Sequence, residues 1–248
     1  MSSPAVVSAE VPDQSNSVSR LFGVLFSPKA TFESIARRPT WALPLVLGIV
    51  LSIAVVWIFG HRGGWPGYFE RQTANNTRFQ QMPADQQQRV MEAQLKYAPP
   101  IALASAVIVL ILAALLIAAV LMGVFNGVAG TKIGFKNSLA IVTYGGVPGL
   151  IGGILGLLIV SLKDISSVDI QNIVASNAGA FLPSTSARWM ISLFSSIDVF
   201  TFWTFILMAI GFSAAAPKKL SFGKALAYIV AVWLVWVIVK VGLTAAFT

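Results

Sequence analysis

The sequence predicts an all-α membrane protein, a bundle of five transmembrane helices with amphipathic surface helices at its N-terminus. Hydrophobic residues make up 56% of the 248 residues and charged residues only 10%, whereas a soluble domain carries about 25% charged residues. Because so few charges cannot coat a water-soluble surface, an ordinary soluble enzyme is excluded. Five apolar stretches each supply about 20 residues, the number needed to cross about 30 Å of hydrocarbon.

The chain divides into a short tail and one membrane domain. Residues 1–16 are small, polar and proline-bearing, which predicts a disordered tail. Residues 17–248 form the membrane domain, which begins with two helices separated by Ser27-Pro28, an N-cap followed by a first-turn proline. The predicted spans then lie at about 40–60, 100–128, 137–162, 189–213 and 225–247.

The second N-terminal helix carries basic and apolar residues on different faces. Phe32 and Ile35 are apolar, whereas Lys29, Arg37 and Arg38 are basic. This pattern fits a helix on the inner leaflet, with its basic side chains near anionic lipid. It fits equally well a helix packed on the cytoplasmic ends of the spans, and the sequence leaves both interpretations open.

Basic residues also predict the orientation of the chain. The short segments 129–137 and 214–224 contain five lysines and no acidic residue. By the positive-inside rule, the N-terminus is cytoplasmic and the C-terminus lies outside. We therefore expect an integral membrane protein with lipid as its surroundings, and the net charge of +8 does not indicate nucleic acid binding.

Small residues and a proline mark the third predicted span. Gly145, Gly149 and Gly153 recur every four residues, and Pro148 lies among them. Small residues let helix backbones approach closely in a membrane, and an internal proline kinks a helix. The pattern favours tight packing of a compact bundle. A hinge or an opening for a substrate is the alternative.

Asp198 and Lys240 are charges inside predicted spans, and such charges suggest a functional site. On a continuous helix, Ser195, Asp198 and Thr201 fall within an arc of about 120°. Asp198 and Lys240 have similar predicted depths on neighbouring antiparallel spans. The sequence therefore allows a proton or ion coupling site, a structural ion pair, or a lysine that snorkels to the surface by itself.

The residues that enzymes use are mostly missing. The chain has no cysteine and a single histidine, His61. These counts exclude thiolate metal sites and a zinc site built on two histidines. Aspartyl catalysis inside the membrane needs two carboxylates, and the spans supply one. We predict no catalytic residue, no cofactor and no bound metal.

Three stretches resemble the Yip family of Ypt/Rab-interacting membrane proteins in its bacterial form. They are residues 21–32 (LFGVLFSPKATF), Tyr144 with Pro148, and residues 196–203 (SIDVFTFW) followed by Gly211-Phe212. The resemblance covers residues 18–246 and implies five spans and a cytoplasmic N-terminus. Eukaryotic members are linked to vesicle traffic and Rab GTPases. The chain lacks the DLYGP and GYGYS-type stretches of those members, so Rab binding does not carry over.

Together, these features predict a non-catalytic integral membrane protein. We expect it to organise the bilayer or to recruit protein partners at its cytoplasmic face. The alternative is a transporter or channel for ions, protons or lipid that uses Asp198 and Lys240.

Overall fold

The computed structural model describes residues 16–74, 76–170, 172–183 and 185–246, and about 80% of the chain is helical. Within these ranges no strand is present, and eleven α-helices follow one another. They are α1 (Ser17–Phe26), α2 (Pro28–Arg37), α3 (Ala42–His61), α4 (Gly64–Ala74), α5 (Thr77–Gln80), α6 (Ala84–Val128), α7 (Phe135–Gly145), α8 (Val147–Leu162), α9 (Arg188–Phe194), α10 (Val199–Ala215) and α11 (Phe222–Ala246).

The predicted disordered tail lies outside the described residues, except for its last residue. Asn16 is the N-cap of α1, and its side-chain oxygen accepts a hydrogen bond from the Ser19 amide at 2.8 Å. Residue 16, which was predicted to belong to the tail, is therefore the cap of the first helix.

Among the described residues, four helical segments are long and apolar enough to cross a membrane: α3, α6, the α7–α8 pair and α11. Three of them match predicted spans to within a few residues. The fourth, α6, is longer than predicted, because Pro99 and Pro100 lie inside the helix without ending it. Its 45 residues reach about 67 Å at a rise of about 1.5 Å per residue, so α6 extends beyond the hydrocarbon layer.

The predicted fourth span, residues 189–213, is not one helix. α9 ends at Phe194 and α10 begins at Val199, and Asp198 between them is the N-cap of α10. Aspartate is favoured at this position because its carboxylate can accept hydrogen bonds from the free backbone N–H groups of the first helical turn. The 17 residues of α10 reach about 25 Å, slightly less than the hydrocarbon thickness of about 30 Å. The count of five crossings depends on α10 and stays a prediction.

The predicted third span is also interrupted. α7 ends at Gly145 and α8 begins at Val147, with Gly146 between them. Pro148 lies in the first turn of α8, where its missing N–H removes no helical hydrogen bond. The predicted kink is therefore a short break two residues before the proline.

The glycines of this segment face different surroundings. A Cβ on Gly145 would lie 2.6 Å from Met208 Cγ of α10, and one on Gly153 would lie 3.4 Å from Leu51 Cδ1 of α3. Gly149 has open space around it. The glycines thus allow close contacts with two neighbouring helices instead of forming one packing face.

Buried apolar side chains form two separate clusters. The larger one joins α1, α2, α6, α7, α10 and α11 around Tyr144, Phe32 and Phe125. The smaller one joins α3, α4 and α8 around Phe59 and Trp65. Apolar burial and close packing therefore hold the bundle together mainly where the N-terminal helices meet α7 and α10.

Hydrogen bonds between loops define the two ends of the bundle. Lys219 Nζ donates to the Gly130 carbonyl at 2.7 Å, which joins segments 129–134 and 216–221 at the end that holds α1 and α2, here called the α1–α2 end. Arg62 donates to the carbonyl oxygens of Val160 at 2.7 Å and Lys163 at 2.9 Å at the opposite, far end. Segments 129–137 and 214–224, whose lysines predicted one shared side, thus meet at the α1–α2 end.

Candidate functional site

A buried arginine fastens α1 to α2. The side chain of Arg20 is 4% exposed, although it carries a charge. Its Nη1 donates to the Arg38 carbonyl and its Nη2 to the Ser34 hydroxyl, each at 2.8 Å. Such charge-assisted bonds offset the cost of burying the guanidinium. They also fix which face of α1 is turned toward the protein.

The same arginine begins a chain of hydrogen bonds that reaches α7. Arg20 Nη1 lies 3.1 Å from Thr40 Oγ1, which is 3.3 Å from the Tyr144 hydroxyl. Tyr144 in turn donates to the Ser17 carbonyl at 3.2 Å. The sequence analysis missed Arg20 as a site residue. The available signal was that Arg20 is the single charged residue in α1.

The apolar face of α2 is packed on protein. Phe32 and Ile35 are fully buried, and Phe32 lies against Gly211 of α10. Of the two arrangements that the sequence left open for α2, the structure has the helix packed on the bundle. The predicted lipid-contacting residues Lys29, Arg37 and Arg38 are all exposed.

In contrast, α1 leaves a line of large apolar side chains mostly exposed. Val18, Phe22 and Phe26 follow one another at four-residue spacing and are 53%, 62% and 81% exposed. Residues four apart lie on the same side of a helix. We call these three residues the apolar stripe of α1. It lies on the same end of the bundle as the exposed basic residues of α2.

At the far end, Asp198 organises the break between α9 and α10. Its Oδ1 accepts from the Thr201 amide at 2.9 Å and lies 3.3 Å from the Thr201 hydroxyl. Its Oδ2 accepts a hydrogen bond from the Ser176 hydroxyl. The structure therefore brings Asp198 and Thr201 together as predicted, but at a helix start and not along one helix face.

A loop segment runs antiparallel beside this break. The Ala178 amide donates to the Ile197 carbonyl at 3.0 Å, and the Val199 amide donates to the Ser176 carbonyl at 3.1 Å. Gly179 lies so close to Ser195 that an added Cβ would be 2.8 Å from the Ser195 backbone nitrogen. The predicted site residue Ser195 thus contacts the loop instead of facing Asp198.

Lys240 forms its hydrogen bond with the Ser196 hydroxyl, whereas Asp198 contacts the hydroxyls of Ser176 and Thr201. Its Nζ donates to Ser196 Oγ at 2.9 Å, and Ser196 Oγ donates to the Ser192 carbonyl at 2.9 Å. In the part of the chain described here, no ion pair joins Lys240 to Asp198. Asp198 and Lys240 lie near the same helix break but are bound separately.

Removal of the Asp198 carboxylate is expected to destabilise the helix break. We expect Asp198→Ala to cost about 1–2 kcal/mol, because the cap of α10 and the contact with Ser176 are both lost. Asp198→Asn keeps an oxygen that can accept the hydrogen bond from the Thr201 amide, so this variant should lose less stability than Asp198→Ala. Thermal unfolding in detergent measures both variants. Equal stability of Asp198→Ala and the unchanged protein would contradict this structural role.

The described residues contain no group of three or more histidines, cysteines, aspartates or glutamates that could hold a metal ion.

A model of the Yip1 domain family matches residues 22–243. No curated protein matches the chain, and no solved structure does.

Proposed function

Because this chain belongs to the Yip1 domain family, a non-enzymatic membrane family, we propose that it is a non-catalytic integral membrane protein that organises the bilayer through α1 and recruits protein partners at the same face. The proposal places the α1–α2 end in the cytoplasm and the protein in a bacterial inner membrane. It also includes α10 as the fifth crossing helix.

The apolar stripe of α1 is the observation that carries this proposal. Phe22 and Phe26 are mostly exposed, whereas Arg20 and Val24 of the same helix are buried. An apolar helix face at the membrane surface enters the boundary between headgroups and acyl chains by about 5–10 Å. Insertion into one leaflet alone expands that leaflet and favours curvature.

The charges around the stripe support a cytoplasmic, lipid-facing position. Lys29, Arg37 and Arg38 are exposed beside α1, and Lys219 lies on a neighbouring loop of the same end. Each basic side chain near an anionic leaflet contributes about 1 kcal/mol of attraction. The same exposed basic surface is the proposed contact for acidic protein partners.

Reconstitution into vesicles tests the proposal. The full chain is expected to narrow or tubulate vesicles that contain phosphatidylglycerol, as observed by electron microscopy. The double variant Phe22→Ser/Phe26→Ser should lose this effect, because a polar stripe no longer enters the leaflet. Phe22→Leu/Phe26→Leu keeps the apolar stripe and is the matched control.

If the serine and leucine variants remodel vesicles equally, the stripe is not the organising element. If neither the variants nor the unchanged protein affects vesicle shape, the membrane-organising part of the proposal is wrong. Partner recruitment is then tested by crosslinking from Lys29, and recovery of no protein above background would exclude it as well.

Transport remains a second proposal, favoured by one observation. The fourth predicted span is interrupted at residues 195–198 beside hydroxyl side chains, and broken helices commonly line the binding sites of transporters. Proteoliposome flux of protons, small ions and a fluorescent lipid tests it. Flux that disappears in Asp198→Asn, a variant expected to fold, would support transport. Absence of flux in the unchanged, folded protein would exclude it.

A further inference from the structure

We propose that Lys240 and the hydroxyl side chains around it bind the phosphate group of a phospholipid in the leaflet at the far end. This site is separate from the apolar stripe, which lies at the α1–α2 end. The proposal therefore stands or fails independently of membrane remodelling.

The position of Lys240 along α11 places it near the lipid headgroups. α11 begins at Phe222 at the α1–α2 end, and Lys240 follows 18 residues later. At about 1.5 Å per residue this distance is about 27 Å, close to the hydrocarbon thickness of about 30 Å. A lysine at this depth extends its ammonium group into the layer where lipid phosphates lie.

The hydrogen bonds of Lys240 leave it able to bind an anion. Its ammonium group has three N–H donors, and one of them is used by Ser196 Oγ at 2.9 Å. The Ser196 hydroxyl donates a hydrogen bond to the Ser192 carbonyl, so in its hydrogen bond with Lys240 it is the acceptor. The carboxylate of Asp198 accepts hydrogen bonds from Ser176 and Thr201, and no ion pair joins it to Lys240 among the described residues. An anion from the bilayer therefore completes the coordination of the ammonium group.

The helix pairing extends this polar surface outward. α9 and α11 run antiparallel, so Ser196 pairs with Lys240, and one turn further out Ser192 lies 3.4 Å from the Thr244 hydroxyl. Arg188 precedes Ser192 by four residues, which places it one further turn along the same side of α9. Arg188 is exposed and supplies a second cation above the first.

Two tryptophans accompany these cations. Trp189 of α9 and Trp236 of α11 are 44% and 63% exposed. Tryptophan is enriched where hydrocarbon meets headgroups. A phospholipid whose phosphate binds Lys240 would thus have its acyl chains along the exposed apolar surface of α11. The phosphodiester is the anionic group that a phospholipid bilayer offers at this depth.

Native mass spectrometry of the purified, delipidated chain tests this site. Three probes are titrated separately: phosphatidylglycerol, a diacylglycerol with the same chains but no phosphate, and inorganic phosphate. We expect one tightly retained phosphatidylglycerol, and about tenfold weaker retention in Lys240→Met, as for loss of one charge-assisted contact. Lys240→Arg should keep the lipid.

The control variant is Lys96→Met, which removes an exposed cation from the far-end half of α6. Retention that falls equally in Lys96→Met and Lys240→Met would show only a general effect of charge. Diacylglycerol retained as well as phosphatidylglycerol would overturn the phosphate contact. Inorganic phosphate bound without lipid would show an anion site that is not a lipid site. Thermal unfolding of each variant confirms that it is folded.

Discussion

Replacement of Arg20 with methionine is expected to lower stability more than any other single change at the α1–α2 end. The substitution leaves the Ser34 hydroxyl and the Arg38 carbonyl without their buried donor, and Thr40 loses its contact as well. Hydrogen bonds to a charged group contribute about 1.5–3 kcal/mol each, so we expect the loss of the two 2.8 Å bonds to cost at least about 3 kcal/mol. The melting temperature in detergent measures this loss.

The same variant should also release α1 from the bundle. Limited proteolysis near residues 17–27 is expected to become faster in Arg20→Met, because no other charged side chain of α1 fastens it to α2. Arg37→Met removes an exposed arginine of the neighbouring helix and is the control. If Arg20→Met and Arg37→Met unfold and are cleaved alike, the buried network is not what fixes α1.

The second large effect is expected at Gly211, where α10 meets α2 and α7. An added Cβ would lie 2.5 Å from Ile141 Cγ2 and 2.9 Å from Phe32 Cδ1, and both side chains are fully buried. Neither neighbour has free space to move into, so overpacking should cost about 1–3 kcal/mol in Gly211→Ala. Gly149→Ala is the control, because nothing lies within 4 Å of its added Cβ.

Thermal unfolding of the two glycine variants separates packing from helix propensity. Alanine is favoured over glycine in a helix by about 1 kcal/mol, so Gly149→Ala should be neutral or slightly stabilising. Destabilisation by Gly211→Ala alone supports the close α2–α7–α10 contact. A stable Gly211→Ala variant would mean that α2 does not pack as described.

Most of the helical architecture follows from composition and periodicity. Long apolar stretches such as residues 42–61 can satisfy their backbone only as helices inside lipid, so the prediction of all-α spans was confirmed. The family resemblance was likewise confirmed by the match over residues 22–243. These features depend on the combined contributions of many residues, and such averages can be predicted from a single sequence.

The errors arose where one side chain decides the local structure. Asp198 was predicted within a continuous helix, whereas it caps α10 and ends the connection to α9. The position of Asp198 depends on donors that lie near its carboxylate. The Thr201 amide belongs to the first turn of α10, whereas the Ser176 hydroxyl comes from a loop 22 residues earlier. The sequence alone does not show which loop folds back onto the break.

The surface of α1 was only partly predictable for a similar reason. The sequence predicted a helix here, but a sequence pattern cannot show which apolar residues face protein. A buried arginine, Arg20, turns Val24 inward and leaves Phe22 and Phe26 outward. Charged residues are rarely buried unless paired, so a sequence-based prediction places Arg20 at the surface.

Spin labelling tests most directly whether the apolar stripe of α1 lies in lipid. The chain has no cysteine, so single cysteines at Phe22, Phe26, Lys29 or Arg37 can be labelled without other changes. In reconstituted vesicles, labels at positions 22 and 26 are expected to be accessible to oxygen, which partitions into lipid, and those at 29 and 37 to a water-soluble nickel complex. If the labels at 22 and 26 are instead accessible to the nickel complex, α1 does not enter the leaflet and the proposed membrane-organising function is wrong.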